Sequence, residues 1–141
     1  MSGPVFNAWT SEDLATMLAA VNLPARPLDR HFLLQSIVQE AYKLRTDRVM
    51  REVCRRIARR HLAEFPQLKR PLKRSVGGFM PRVSTFEHFA MVLTEDGDYE
   101  EAVRVAELAV SYGVFDDTFV ESVKSRIAHY IKRGAKEPRV R

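Results

Sequence analysis

The chain has 141 residues, 45% of them apolar, which suits one folded domain and leaves no room for two independent ones. Its single cysteine excludes an internal disulfide framework, and no segment reaches the roughly 18 apolar residues of a membrane span. We therefore expect a cytoplasmic protein without membrane contact. The net charge of +5 is unevenly distributed, because residues 43–82 carry thirteen Lys or Arg against three acids, whereas residues 83–121 carry one Arg against ten acids.

The hydrophobic pattern predicts an all-α fold of about six helices, since apolar and polar residues do not alternate over any long window. The first helix is predicted over residues 10–22, with the Thr10 hydroxyl as its cap. The second, over residues 30–45, carries an apolar stripe wide enough for a buried helix. We expect one domain over residues 1–134, with its N-terminal helices in residues 10–65.

The third predicted helix is strongly basic and amphipathic. Thr46 or Asp47 is expected to cap it, and it is predicted to run to about Glu64. One face is apolar and includes Cys54 and His61, while arginines occupy the opposite face. Residues 66–83 hold three prolines and a glycine pair, so they are predicted to form a connector. If the partner is a nucleic acid, Phe79 and this connector could touch its bases. Helix and connector together give the candidate polyanion-binding residues Arg48, Arg55, Arg56, Arg59, Arg60, Lys69, Arg70, Lys73 and Arg74.

Three helices are predicted in the second half, over residues 84–133. Ser84 with Glu87 forms a capping box for a helix that ends near residue 95, and Asp98 with Glu101 marks the start of the next, which ends near Gly113. A last helix opens at residue 117 or 118 and ends near 133. The basic tail, residues 135–141, is predicted to be disordered.

The helix that begins after Asp98 places its smallest apolar residues, Ala102, Ala106 and Ala109, on one face. Small residues let a neighbouring helix approach closely. With the preceding helix, this segment resembles a tetratricopeptide repeat over residues 85–114. The residues that match the repeat pattern are Phe86, Phe89, Leu93, Gly97, Tyr99, Ala102 and Ala109, and those that depart from it are Ala90, Ala106 and Val114.

A second, degenerate unit is predicted over residues 36–66, with Arg51 where the repeat has Tyr and His61 where it has Ala. The resemblance implies antiparallel helix pairs, a C-terminal capping helix, and binding of a protein segment by the first helix of a pair. On that helix the implied peptide-binding candidates are Ser84, Glu87, Met91, Thr94 and Glu95.

No arrangement of residues indicates catalysis, a metal or a cofactor. The four histidines lie in separate segments, and neither a phosphate-binding glycine loop nor a zinc-ligand spacing occurs. We therefore expect a non-catalytic helical interaction module that binds a protein segment, or assembles with itself through its acidic and basic halves. The alternative is a protein that binds nucleic acid or another polyanion through helix 47–64 and connector 66–83.

Overall fold

The structure is a computed structural model that describes residues 3–134, and within that range its regular elements are seven α-helices and no strands. The all-α prediction is confirmed. The chain divides into two compact units between Pro81 and Arg82, here called unit 1 and unit 2. The single domain predicted over 1–134 stays a prediction, and the tail 135–141 lies outside the described residues. The helices are α1 (Pro4–Ser11), α2 (Leu14–Ala19), α3 (Pro27–Lys43), α4 (Arg48–Ser75), α5 (Ser84–Glu95), α6 (Tyr99–Ser111) and α7 (Thr118–Lys132).

The predicted first helix over 10–22 was wrong, because the N-terminal segment forms two short helices. Pro4 opens α1 at a position where its missing N–H costs nothing, and Thr10 lies near the end of that helix. The Thr10 hydroxyl donates to the carbonyl of Phe6 at 2.8 Å instead of capping a helix. Glu12 then turns the chain with a positive φ of 60°, and the carboxylate of Asp13 caps α2 through the amide of Thr16 at 3.0 Å.

Unit 1 is built around the antiparallel pair of α3 and α4. The turn between them places residues equally far from Thr46 opposite each other. Val38 and Cys54, for example, lie eight residues before and after Thr46. The Cys54 thiol is 3.9 Å from the carbonyl oxygen of Val38. The buried side chains of the two helices form the core: Leu33, Leu34, Ile37, Val38, Ala41, Val53, Cys54, Ile57, Ala58 and Phe65.

The predicted end of the basic helix near Glu64 was wrong, and so was the connector over residues 66–83. Helix α4 continues to Ser75 through two internal prolines, Pro66 and Pro71. The irregular link therefore shrinks to residues 76–83. Each internal proline removes a backbone hydrogen bond and costs about 3 kcal/mol, which is why the sequence indicated a break.

Burial of three side chains in the later part of α4 offsets that cost. Phe65, Leu68 and Leu72 are 0%, 4% and 2% exposed. Each contributes about 1.5–3 kcal/mol when it leaves water, so their sum is comparable with the cost of two prolines. Tertiary packing thus extends the helix beyond the point where its local sequence favours an end.

The cap of α4 gives a direct test of how this helix begins. The carboxylate of Asp47 accepts a hydrogen bond from the amide of Met50 at 2.9 Å. We expect Asp47→Ala to lower the free energy of unfolding by about 1 kcal/mol, because one amide of the first turn loses its acceptor. Thr46→Ala, the other cap considered from the sequence, should change it by less than about 0.5 kcal/mol. Urea denaturation followed by circular dichroism measures both variants, and equal losses would contradict Asp47 as the cap.

In unit 2, helices α5 and α6 form an antiparallel pair joined by a tight turn. Gly97, with a φ of 81°, lets the turn adopt a left-handed conformation. The amide of Gly97 donates to the carbonyl of Thr94 at 3.1 Å, and that of Asp98 to the carbonyl of Leu93 at 2.8 Å. These two bonds form a Schellman motif, which satisfies the last carbonyls of α5. The predicted bounds of α5 are correct, but the predicted cap was wrong, because Val83 is its N-cap and Ser84 is already the first helical residue. Asp98 is the N-cap of α6, without a capping bond from its side chain.

The small-residue face of α6 is buried. Ala102, Ala106 and Ala109 are each fully excluded from solvent, and Tyr99 is 8% exposed. On α5 the aromatic and apolar side chains Phe86, Phe89, Ala90 and Leu93 are buried as well. The predicted close contact through the alanine residues is therefore consistent with their complete burial. Within the described residues, no helix combines the length and apolar character needed to cross a membrane.

Enlarging the alanine face should destabilise unit 2. We expect Ala106→Leu to lower the free energy of unfolding by about 2 kcal/mol, because the extra methylene groups enter a fully packed contact. Ala128→Leu, the same change at an exposed position of α7, should alter it by about 0.5 kcal/mol or less. Chemical denaturation of both variants tests this, and an equal effect at the two positions would mean that the alanine contact is not tight.

Candidate polyanion interface

The structure places all nine candidate basic residues on one helix, α4. On a helical wheel of about 100° per residue they occupy one half of the circumference, and the buried side chains occupy the other half. The two groups that the sequence analysis assigned to a helix and to a connector therefore share one continuous surface. We call it the basic face; it consists of Arg48, Arg55, Arg56, Arg59, Arg60, Lys69, Arg70, Lys73 and Arg74.

The basic face is long and carries little compensating charge within its own helix. Helix α4 has 28 residues, which corresponds to about 42 Å at 1.5 Å per residue. It contains ten Lys or Arg, eight of them Arg, against the acids Glu52 and Glu64. A surface of this length and charge can contact several phosphates or carboxylates of an extended anionic partner.

Seven members of the basic face are exposed and two are half-buried, Arg55 and Arg60. Arg60 is committed to an internal contact, because its Nε lies 3.1 Å from the Glu64 carboxylate and its Nη1 donates to the Asn22 side chain at 3.0 Å. Arg60 is therefore already paired within unit 1. Four exposed arginines, Arg56, Arg59, Arg70 and Arg74, lie within about 60° of one another on the wheel.

Glu64 is the acid that organises the edge of this surface. Its carboxylate accepts two parallel hydrogen bonds from Arg30 of α3, both at 2.8 Å, in addition to that from Arg60. These hydrogen bonds from Arg30 lower the pKa of Glu64 below its usual value. Arg30 also donates to the carbonyl of Val21, so the network joins α3, α4 and the segment after α2. Its role is structural, because its charges already face each other.

The basic face ends in a short glycine link that carries an exposed aromatic ring. Gly77 and Gly78 have φ values of 87° and 100°, and the amide of Gly78 donates to the carbonyl of Lys73 at 2.9 Å. A side chain added at either glycine would meet open space. Phe79 follows directly and is 63% exposed. Phe79, which the sequence placed in a connector that could touch bases, follows the C-terminal end of α4 in the structure.

The peptide-binding candidates of α5 do not all reach the surface. Glu87 is exposed, while Ser84, Met91 and Glu95 are half-buried. Met91 is contacted by Arg126 of α7, whose Nη1 lies 3.9 Å from the sulfur.

Thr94 must be removed from this set. It is 1% exposed, and its hydroxyl donates to the carbonyl of Ala90 at 2.8 Å within the helix. The tetratricopeptide resemblance implied an outward position, but the hydroxyl donates to a carbonyl of the preceding turn, which allows burial.

Two of the histidines, which the sequence placed in separate segments, meet in the core of unit 1. His31 of α3 and His61 of α4 are 2% and 1% exposed, and Nδ1 of the first lies 3.0 Å from Nε2 of the second. Burial lowers the pKa of His31 to about 4 and that of His61 well below its usual value. Both stand fifteen residues from Thr46, so the symmetry of the helix pair was the signal that could have found them.

This histidine pair has no features of an accessible reaction centre. Rings of Phe32 and Phe65 surround it at centroid distances of 5.2 and 6.2 Å from His31. Within residues 3–134 no group of three or more His, Cys, Asp or Glu side chains could hold a metal ion. Two surface grooves of unit 1, of about 270 and 340 Å³, are lined by neither His31, His61 nor Cys54. The pair therefore belongs to the core.

Comparisons with known proteins leave the function to be argued from the site. No family model matches the chain, and no solved structure matches it. It is similar to a protein of Aquifex aeolicus (strain VF5) that is described as an uncharacterized protein. The two are 25% identical over 113 residues, which is 80% of this chain and 53% of the relative. The chain thus spans about half the length of the curated relative that it matches.

Proposed function

We propose that the protein is a non-catalytic helical interaction module that binds nucleic acid through the basic face of α4. The observation that carries this proposal is the continuity of that face: nine cationic side chains share one side of a single 28-residue helix. A solvated surface helix ordinarily intersperses both signs of charge, whereas this side of α4 carries one acid, Glu52, among its cations. The fold holds this helix in place, since the opposite side of α4 packs into the core.

The chemistry of the side chains favours phosphate as the ligand group. Arginine presents a planar fork of N–H donors that matches phosphate oxygens in a bidentate way, and it stays charged at all physiological pH values. Eight of the ten cations of α4 are arginines. A nucleic acid offers phosphates at regular intervals, so one strand laid along the helix would meet several of these side chains in turn. Binding of this kind is driven by the release of counterions.

Counterion release supplies the experiment. The affinity of the full chain for a labelled 20-nucleotide strand and for a duplex of equal length is measured by fluorescence anisotropy between 0.05 and 0.3 M salt. If six side chains of the face contact phosphates of a single strand, log K should fall against log salt with a slope of about −4. Absence of binding at the lowest salt concentration would contradict the proposal.

A second candidate function is binding of a protein segment by unit 2, as the tetratricopeptide resemblance implies. The buried alanine face of α6 supports it, because such repeats pack their helix pairs through small residues. Helix α7, which packs against α6 in this unit, would act as the capping helix. The candidate binding surface on α5 consists of Ser84, Glu87, Met91 and Glu95. The two glutamates would attract a positively charged protein segment. The second repeat over residues 36–66 remains part of this proposal.

Self-assembly is the form of this second function that is simplest to test. The acidic residues of segment 83–121 in one copy and the basic face of another copy would attract each other at low salt. Sedimentation velocity at 0.05 and 0.5 M salt would then show a larger species that dissociates at high salt. A monomer under both conditions would exclude it. We propose a cytoplasmic location on the ground that the sequence has a single cysteine, Cys54, which is buried.

A further inference from the structure

An exposed phenylalanine lies at the C-terminal end of the basic face. We propose that Phe79 stacks on a nucleobase, and that the preferred ligand of the basic face is therefore single-stranded nucleic acid. This inference rests on the proposed function and goes one step further, because it names the strand state of the ligand. It starts from the 63% exposure of Phe79, next to the exposed cations Lys73 and Arg74 of the last turn of α4.

The link that carries Phe79 is fixed to the helix end. The amide of Gly77 donates to the carbonyl of Arg74 at 3.3 Å, and that of Gly78 to the carbonyl of Lys73 at 2.9 Å. Together these bonds form a Schellman motif, in which Gly77 supplies the positive φ that the motif favours, and Gly78 also has a positive φ. Phe79 therefore follows a defined turn that begins at the two residues, Lys73 and Arg74, that end the basic face.

Phe79 is among the most exposed apolar side chains described, although burial of a phenylalanine side chain contributes about 1.5–3 kcal/mol. Phe6 is 37% exposed, and it obtains part of that stabilisation by packing edge-on against Trp9 at a centroid distance of 5.5 Å. Phe79 is almost twice as exposed. Proteins bind single strands by combining cations that contact the backbone with an exposed aromatic ring that stacks on a base.

A single strand fits this arrangement better than a duplex or a lipid surface does. In a duplex the faces of the bases are already stacked on each other, so Phe79 would find no base to cover without unstacking one. An anionic membrane would be attracted by Lys and Arg alike. The strong preference of α4 for arginine, together with an aromatic ring at its end, is the combination expected for a nucleic-acid strand.

The test compares variants of Phe79 in the full chain. Labelled 20-nucleotide oligothymidine and a 20-base-pair duplex are titrated at 0.1 M salt, and binding is followed by fluorescence anisotropy. Phe79→Ala should weaken binding of the single strand about 5- to 150-fold, the range measured for loss of one stacked base. Phe79→Leu should lose affinity similarly, because it keeps apolar bulk without a flat ring, whereas Phe79→Trp should retain it. Binding of the duplex should stay within twofold for all three variants.

The other possible results distinguish failure of the stacking role of Phe79 from failure of the proposed nucleic-acid binding. If the wild type binds oligothymidine and Phe79→Ala binds it equally well, the stacking role is wrong while the polyanion function stands. If Phe79→Leu keeps full affinity, or if duplex binding falls as much as single-strand binding, the stacking role is wrong as well. If the wild type binds neither nucleic acid at 0.05 M salt, both proposals fail. Sedimentation with phosphatidylserine-containing vesicles that depends on Phe79, without binding of oligothymidine, would assign the face to a membrane instead.

Discussion

Replacing Arg56, Arg59, Arg70 and Arg74 by Gln should weaken binding of a single strand at 0.1 M salt by about 10²- to 10³-fold. These four side chains are exposed and share a narrow sector of the basic face. Each phosphate contact contributes about 0.7 to the slope of log K against log salt for a single strand, so losing four should make that slope shallower by about three. Gln keeps a helix propensity close to that of Arg, which protects α4 from unfolding. Anisotropy titrations between 0.05 and 0.3 M salt measure both the affinity and the slope.

A matched control separates the basic face from the net charge of the chain. Changing Lys124, Arg126, Lys132 and Arg133 to Gln removes the same four charges from exposed positions of unit 2. We expect this variant to lose less than about tenfold in affinity and to keep the salt slope. If the two variants lose affinity equally, binding reflects overall charge, and the basic face is not the interface.

The basic face shows where sequence reasoning succeeded and where a local rule failed. The arginine pattern over residues 47–64 predicted an amphipathic helix and the identity of its cations. Pro66 and Pro71 then indicated a break, because proline disfavours a helix interior through its own backbone, independently of how the helix packs. The burial of Phe65, Leu68 and Leu72 depends on contacts that one sequence does not reveal. Tertiary packing outweighed the local preference, and it joined two predicted segments into one surface.

The helix pair of unit 2 was easier to predict, because its signals are local and agree with each other. Small residues at spacings of four and three, a glycine in the turn and acids at the helix start all indicate the same arrangement. The errors concern side chains that satisfy themselves locally. Thr10 was predicted to cap a helix through its hydroxyl, and the repeat resemblance placed Thr94 outward, yet each hydroxyl donates to the carbonyl four residues earlier in its own helix.

The histidine pair shows a different limit. His31 and His61 were treated separately because they lie thirty residues apart, and only the symmetry of an antiparallel pair about Thr46 brings them together. With the rings 3.0 Å apart between Nδ1 and Nε2, one nitrogen donates its hydrogen to the other. This contact requires at least one neutral ring. A second proton would place two N–H groups face to face and add positive charge near Arg30, which already lowers the pKa of His61.

Lowering the pH from 7 to 4 should therefore destabilise unit 1. In the unfolded chain both histidines titrate near 6.5, whereas in the folded state the pKa of His31 is about 4 and that of His61 is also lowered. Below pH 6.5 the unfolded chain binds more protons than the folded one, so the free energy of unfolding falls with pH. For His31 alone the loss approaches about 3 kcal/mol at pH 4, because each tenfold change in proton affinity corresponds to roughly 1.4 kcal/mol, and His61 adds to it.

Trp9, the single tryptophan, reports this loss from within unit 1. Its indole N–H donates to Asp29 at 3.1 Å, and its ring lies 5.0 Å from that of Phe32, so its fluorescence should change when the unit unfolds. Urea denaturation at intervals between pH 7 and 4.5 isolates the histidines, because the lowered pKa of Glu64 makes its salt-bridge contribution disappear only at more acid pH.

Two variants decide whether the buried pair causes the slope. The control His129→Gln removes an exposed histidine of α7 and should leave the decline of stability with pH unchanged. The double change His31→Phe with His61→Leu removes both buried imidazoles and should flatten the curve between pH 6.5 and 4.5. Should this variant fail to fold, the imidazole NMR signals of the wild type are followed as a function of pH instead. If both buried rings titrate near pH 6.5, the histidine pair is not the cause of the loss of stability. A wild-type free energy of unfolding that does not change between pH 6.5 and 4.5 would also contradict the prediction. Desolvation lowers the pKa of a buried histidine, so it can only make stability fall as the pH falls.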